Sequence, residues 1–99
     1  MKESAIVKSI LQYLKSVPEC FAWKEHGGMY GTAGIPDIIA CIGGNFYGFE
    51  VKTERGKPTA LQAATMRKIQ AAGGIAAVVR SVADVKAVLD GRDSDVEPL

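Results

Sequence analysis

Apolar residues near the start of the chain recur at helical spacing. Ile6, Val7, Ile10, Leu11 and Leu14 fall on one side of the stretch 3–17, the i, i+4, i+8 stripe of an amphipathic helix. Pro18 stops it, since proline donates no N–H and its ring crowds the preceding turn. Residues 20–25 suit a short strand, in which Phe21 and Trp23 read as core residues rather than as platforms for stacked bases. The next stretch holds Gly27, Gly28, Gly31 and Gly34. It is too glycine-rich to be regular, and is either flexible or shaped around a ligand. Residues 37–42 read as a strand, Gly43-Gly44-Asn45 as a hairpin signal, and 46–52 as the returning strand. After a polar loop over 53–58, Thr59 and Gln62 match the N-cap and N3 positions of a capping box. That helix should run to about Ala72 and end at Gly73 or Gly74. Residues 75–79 form a short apolar run, expected as a buried strand. Ser81 then caps a last helix over 82–90 that stops at Gly91. The order α-β-β-β-α-β-α puts three strands in a meander and the fourth after a helical crossover. It predicts an α/β fold with a mixed four-stranded sheet flanked by helices.

Length and composition narrow this picture without changing it. A chain of 99 residues makes one domain, expected over 1–91, with an acidic tail over 92–99 read as disordered. No apolar run approaches the ~18 residues of a membrane span. The opening Met1-Lys2-Glu3-Ser4 is unlike a signal peptide, so a cytoplasmic location and no membrane partner are expected. Cys20 and Cys41 belong to no CxxC pair and read as buried, reduced thiols. His26 is the only histidine, which excludes a multi-histidine zinc site and weakens any serine-hydrolase reading. Net charge is +1, but its distribution is uneven. Setting aside Asp90, Arg92, Asp93, Asp95 and Glu97 leaves eleven basic and seven acidic residues, and from 52 to 80 six bases face one acid. Such a surface can meet phosphate, although on charge alone a solvated helix face is the plainer reading.

The chemistry is concentrated on strand 46–52. Side chains alternate at period two, so Tyr47, Phe49 and Val51 share one face and Gly48, Glu50 and Lys52 the other. A hairpin turning on Gly43-Gly44 sets Asp37 opposite Glu50, and one turning on Gly44-Asn45 sets it opposite Lys52. Both put Asp37 on the face of Glu50 and Lys52, whereas a three-residue loop without a bulge would not. Two carboxylates and an ammonium on neighbouring strands suit phosphodiester hydrolysis. Hard oxygens bind Mg²⁺ or Mn²⁺, the metal activates a water, and the lysine orients it or stabilises charge at phosphorus. The plain alternative is a surface salt-bridge cluster.

Pro36-Asp37 followed by Glu50-Val51-Lys52 resembles the PD-(D/E)xK nuclease signature. Further residues agree: Glu3 at the start of the first helix, the Gly-x-Pro-Asp form of Gly34-Ile35-Pro36-Asp37, Gln62 on the following helix, and Gly73-Gly74 leading into Val78-Val79-Arg80-Ser81. Together they resemble the VRR-NUC subfamily, the virus-type replication-repair nucleases, across about residues 3 to 90.

The resemblance implies a restriction-endonuclease-like core and a Mg²⁺-dependent endonuclease, with Mn²⁺ able to substitute. It implies that Asp37, Glu50 and the backbone carbonyl of Val51 hold the metal, that Lys52 positions the attacking water, and that Glu3 binds or supports a metal through a water. Gln62 would orient the lysine or contact the nucleic-acid backbone. Stand-alone members, phage or bacterial, resemble archaeal Holliday junction resolvases, which makes a homodimer acting on branched DNA the expectation for a chain of this length. His26, Tyr30, Arg55, Lys57 and Arg80 are the candidate DNA contacts. Dimerisation would use the apolar face of the N-terminal helix or the last strand. The alternative is a catalytically weak DNA-binding or interaction module of the same fold.

Overall fold

The computed structural model describes residues 1–26 and 31–91. Seven elements follow in chain order: α1 (Glu3–Leu14), β1 (Cys20–Lys24), β2 (Ile38–Ile42), β3 (Asn45–Val51), α2 (Ala60–Ala71), β4 (Ile75–Val79) and α3 (Val82–Leu89). The strands form one sheet in the order β1-β2-β3-β4. The first two pairings are antiparallel and β3–β4 is parallel. This is the mixed, helix-flanked sheet that the hydrophobic pattern predicts. Among the described residues no helix is long and apolar enough to cross a membrane. The acidic tail beyond Gly91 and Tyr30 lie outside the described residues.

The hairpin settles the register. Ile42 pairs with Asn45, so Gly43 and Gly44 are the two loop residues, with φ of 58° and 83°. Two consecutive positive φ values define the type I′ turn, whose twist matches that of the flanking strands. Ile38 pairs with Phe49, and the next rung sets Asp37 opposite Glu50.

One face of the sheet carries the main core. Ile38, Ala40, Phe49, Val51 and Val79 pack there against Ile6, Ile10 and Leu14 of α1 and Val85 of α3. Phe49, Ile10 and Val79 are fully shielded from solvent, each burial being worth about 1.5–3 kcal/mol. The other face is smaller: Met66 and Ile69 of α2 cover Ala76 and Val78. Helix α1 ends at Leu14, before Pro18, because its last turn tightens. The N–H groups of Ser16 and Val17 bond the carbonyls of Tyr13 and Leu14, three residues back. The capping box forms as expected, Thr59 Oγ1 accepting the Gln62 N–H at 3.1 Å and Gln62 Oε1 accepting the Thr59 N–H at 2.9 Å.

Two expectations fail on this second face. Phe21 is 71% exposed and Trp23 41% exposed, so neither is a core residue. Helix α2 packs on β3 and β4 and leaves this end of the sheet uncovered. Cys41, on the same face, is exposed rather than buried; both cysteines are free thiols. The apolar face of α1 and most side chains of β4 are packed into the core, while β4 itself lies at the edge of the sheet.

Candidate active site

Three neighbouring contacts aim Asp37 at β3. Gly48 comes first. A Cβ there would lie 2.9 Å from Pro36 Cγ, so its absence lets the proline ring lie flat on the sheet, where it is fully buried. Gly34 adopts φ of +78° beneath α2, where a Cβ would meet Thr65 Oγ1 at 2.7 Å. The Thr65 hydroxyl donates to the Ala33 carbonyl at 3.2 Å and holds that segment down. With its approach set, Asp37 takes the last step itself: Oδ2 accepts the Val51 N–H at 2.8 Å, and its carbonyl accepts the Glu25 N–H at 2.8 Å. The Gly-x-Pro-Asp motif is therefore a device for laying a carboxylate across two strands. Gly48→Ala is expected to cost about 1–3 kcal/mol by overpacking against Pro36. A shift in the urea midpoint at unchanged slope measures it.

Glu50 is the unusual member of the group. It is 1% exposed, on the α2 face beside Gly48, and sits one rung across from Asp37. Burial first, then the Asp37 carboxylate and Glu3, push the Glu50 carboxyl up to about 8 against the pull of Lys52. Lys52 Nζ lies 3.8 Å from Oε2, too long for a hydrogen bond. Oε1 has no partner among the described residues. A buried, orphaned carboxylate oxygen beside a second carboxylate destabilises the fold, and either a proton or a cation would relieve it. Among the described residues no three His, Cys, Asp or Glu side chains cluster closely enough to hold a metal. What the structure brings together is the Asp37 and Glu50 carboxylates, with exposed Glu3 close enough to be felt electrostatically.

The remaining sequence candidates fall into two groups. Arg55 and Lys57 are exposed on the loop that follows Lys52, and His26 is exposed beside Glu25. Gln62 and Arg80 are engaged in structure. The Gln62 carbonyl oxygen belongs to the capping box. Arg80 Nη1 donates to the carbonyls of Thr53 and Gly56, the latter at 2.7 Å, and its own N–H bonds Asp84 Oδ2 at 2.8 Å. Arg80 thereby clamps the 53–57 loop immediately after Lys52. Composition gave no signal for Thr65 or this clamp, since each bridges segments far apart in sequence. Arg80→Lys keeps the charge but lacks the planar fork. Losing charge-assisted bonds worth about 1.5–3 kcal/mol should raise amide exchange over residues 53–57 about tenfold or more.

The chain has the fold of two solved structures. One, named "VRR_NUC domain", is 22% identical and superposes with a TM-score of 0.74 over 89% of this chain and 94% of that one. The other, named "VRR_NUC domain protein", is 17% identical, with a TM-score of 0.76 over 95% of this chain and 89% of that one. No family model and no curated protein matches the sequence.

Proposed function

We propose that the protein is a Mg²⁺-dependent endonuclease that hydrolyses DNA phosphodiester bonds, with Asp37, Glu50 and the Val51 carbonyl holding the ion. The observation that carries this reading is the orphaned, buried Glu50 oxygen against the Asp37 carboxylate. Such a pair is costly to the fold on its own, and hard oxygen donors match Mg²⁺, with Mn²⁺ able to replace it. When bound, the ion neutralises the phosphodiester and lowers the pKa of a water. The likeness to VRR-NUC structures supports the same assignment.

The chain's own groups supply the positioning. The Val51 N–H holds Asp37 in one orientation. Lys52, with its side chain 12% exposed, keeps an ammonium at the edge of the carboxylate pair, where it can donate to the attacking water or to charge at phosphorus. Glu3 reaches toward the pair from the first turn of α1 and acts through water. Arg55 and Lys57 meet backbone phosphates, and the Arg80 clamp sets how their loop is presented.

Branched DNA, a four-way junction above all, is the substrate this reading favours, with location in the cytoplasm. The described elements fill one catalytic layer and offer no helix that reads bases in the major groove, so recognition falls to shape and phosphate position. Paired incisions need two copies related by a two-fold axis, and these must meet through surface other than the buried apolar face of α1. Labelled junction and linear duplex, each with and without Mg²⁺, provide the test. Metal-dependent nicking of opposing junction strands is expected, with light scattering near twice 10.5 kDa. Binding without cleavage would leave only a DNA-binding module of the same fold.

A further inference from the structure

The proposed chemistry leaves unused the outer edge of the sheet. Between α1 and the edge strand β1 runs a groove of about 650 Å³, lined by Lys8, Gln12, Lys15, Phe21, Trp23 and Lys24 among others. The three lysines are exposed, and among the described residues none of them forms an ion pair. Lys8 and Lys15 are two helical turns apart, which places them on one side of α1 about 10 Å from each other. Phe21 and Trp23 stand with ring centroids 5.3 Å apart, tilted by 42°. The Trp23 indole N–H donates to Glu25 Oε2 at 3.1 Å, which holds the ring in place while most of Phe21 faces solvent.

Register ties this shelf to the proposed site. Trp23 pairs with Ile39, and Ile39 with Gly48, so Trp23 lies on the face of Glu50. Two strand spacings across and one two-residue step along separate them, roughly 12 Å. Lys24 pairs with Ile38, the neighbour of Asp37. Lys24 alternates with Trp23 and shares the α1 face with Cys20 and Ala22, so the lysines and the aromatic shelf flank the edge strand β1 from opposite faces, and the shelf is the side that leads toward the carboxylates.

Charge selects the occupant. A second copy docked here would set lysines against lysines. A polyanion with flat aromatic faces uses both the cations and the rings. We propose that an unpaired stretch of DNA runs along the edge of β1, with phosphates on Lys8, Lys15 and Lys24 on the α1 side and bases folded over the edge to stack on Phe21 and Trp23. The link to cleavage rests on the nuclease reading, and among branched DNAs it favours those that also bear an unpaired arm or gap over the fully paired four-way junction.

Trp23 is the only tryptophan, so its emission reports the shelf directly. The full chain is titrated with an oligo-thymidine single strand in EDTA, where cleavage plays no part. Saturable quenching that weakens as salt rises is expected. Phe21→Ala should bind about tenfold more weakly. The Lys8→Gln, Lys15→Gln double variant should lower the salt slope by about 1.4. All three positions are surface sites, so these variants fold. Unchanged emission at high oligonucleotide, or wild-type affinity in both variants, overturns the proposal. So does emission that shifts with protein concentration alone while light scattering shows a dimer that Phe21→Lys disperses, since the face then belongs to a second copy. Quenching without Mg²⁺-dependent cleavage of any substrate upholds the DNA track and removes the nuclease reading.

Discussion

Asp37→Asn and Glu50→Gln are each expected to lower the Mg²⁺-dependent cleavage rate by about a thousandfold or more while leaving the fold intact. Each change keeps side-chain volume and removes one anionic donor from the proposed site, where among the described residues no cluster of three His, Cys, Asp or Glu side chains forms. Loss of several kcal/mol of transition-state stabilisation, at tenfold per 1.4 kcal/mol, gives that magnitude. Lys52→Ala should behave differently. Its Nζ faces Glu50 but donates nothing to a cation, so most activity goes while metal affinity, read by calorimetry, is kept. Circular dichroism checks folding in all three. An Asp37→Asn protein that is folded and cuts at the wild-type rate would show that the site lies elsewhere.

Glu50→Gln should also make the metal-free protein more stable at neutral pH. The Glu50 carboxyl is near its ordinary value in the unfolded chain and is pushed up to about 8 in the fold by burial and Asp37. Below about 4.5 it is protonated in both states and burial exacts no ionisation penalty. Between 4.5 and 8 the folded protein binds more protons than the unfolded one, so stability falls as pH rises. The slope approaches about 1.4 kcal/mol per pH unit for one group, and the total by pH 8 is on the order of a few kcal/mol. Urea unfolding in EDTA across pH 5 to 8.5 measures this. The wild-type midpoint should fall over that window and the Glu50→Gln midpoint should fall less, with the variant the more stable at pH 8. Mg²⁺ should raise the wild-type midpoint and flatten its pH dependence, because a bound cation stabilises the ionised carboxylate. Parallel pH profiles for wild type and variant would rule out Glu50 as the group responsible. One residue would thus carry a stability cost that serves the proposed chemistry.

The outcome for each element follows from the range of the interaction that shapes it. Period-two alternation put Glu50 and Lys52 on one face of β3 and Phe49 and Val51 on the other, as observed. The glycines mark the hairpin but leave both Gly43-Gly44 and Gly44-Asn45 open as the loop; the structure turns on Gly43-Gly44, whose two positive φ values glycine accepts cheaply, and so sets Asp37 opposite Glu50. The α2 capping box depends on residues three apart. Alternation and capping are local rules, and a linear sequence states them; it does not state the exact register. What covers each face is another matter. Alternation placed Phe21 and Trp23 together on one side of β1, but their exposure depends on α2 lying over β3 and β4, far along the chain. The same holds for Cys41, left open beside them. It holds for Arg80, whose guanidinium spans to a loop more than twenty residues earlier instead of facing outward. The burial that raises the Glu50 carboxyl is likewise tertiary: on strand 46–52 alone it is one charged residue among alternating positions. Sequence by itself determined which side chains of β3 share a face and which residues were candidates to join Asp37 there. Only the folded chain decided which of them lose water, because solvent exclusion needs atoms brought from distant segments, and that exclusion turns an acidic pair into a candidate metal site.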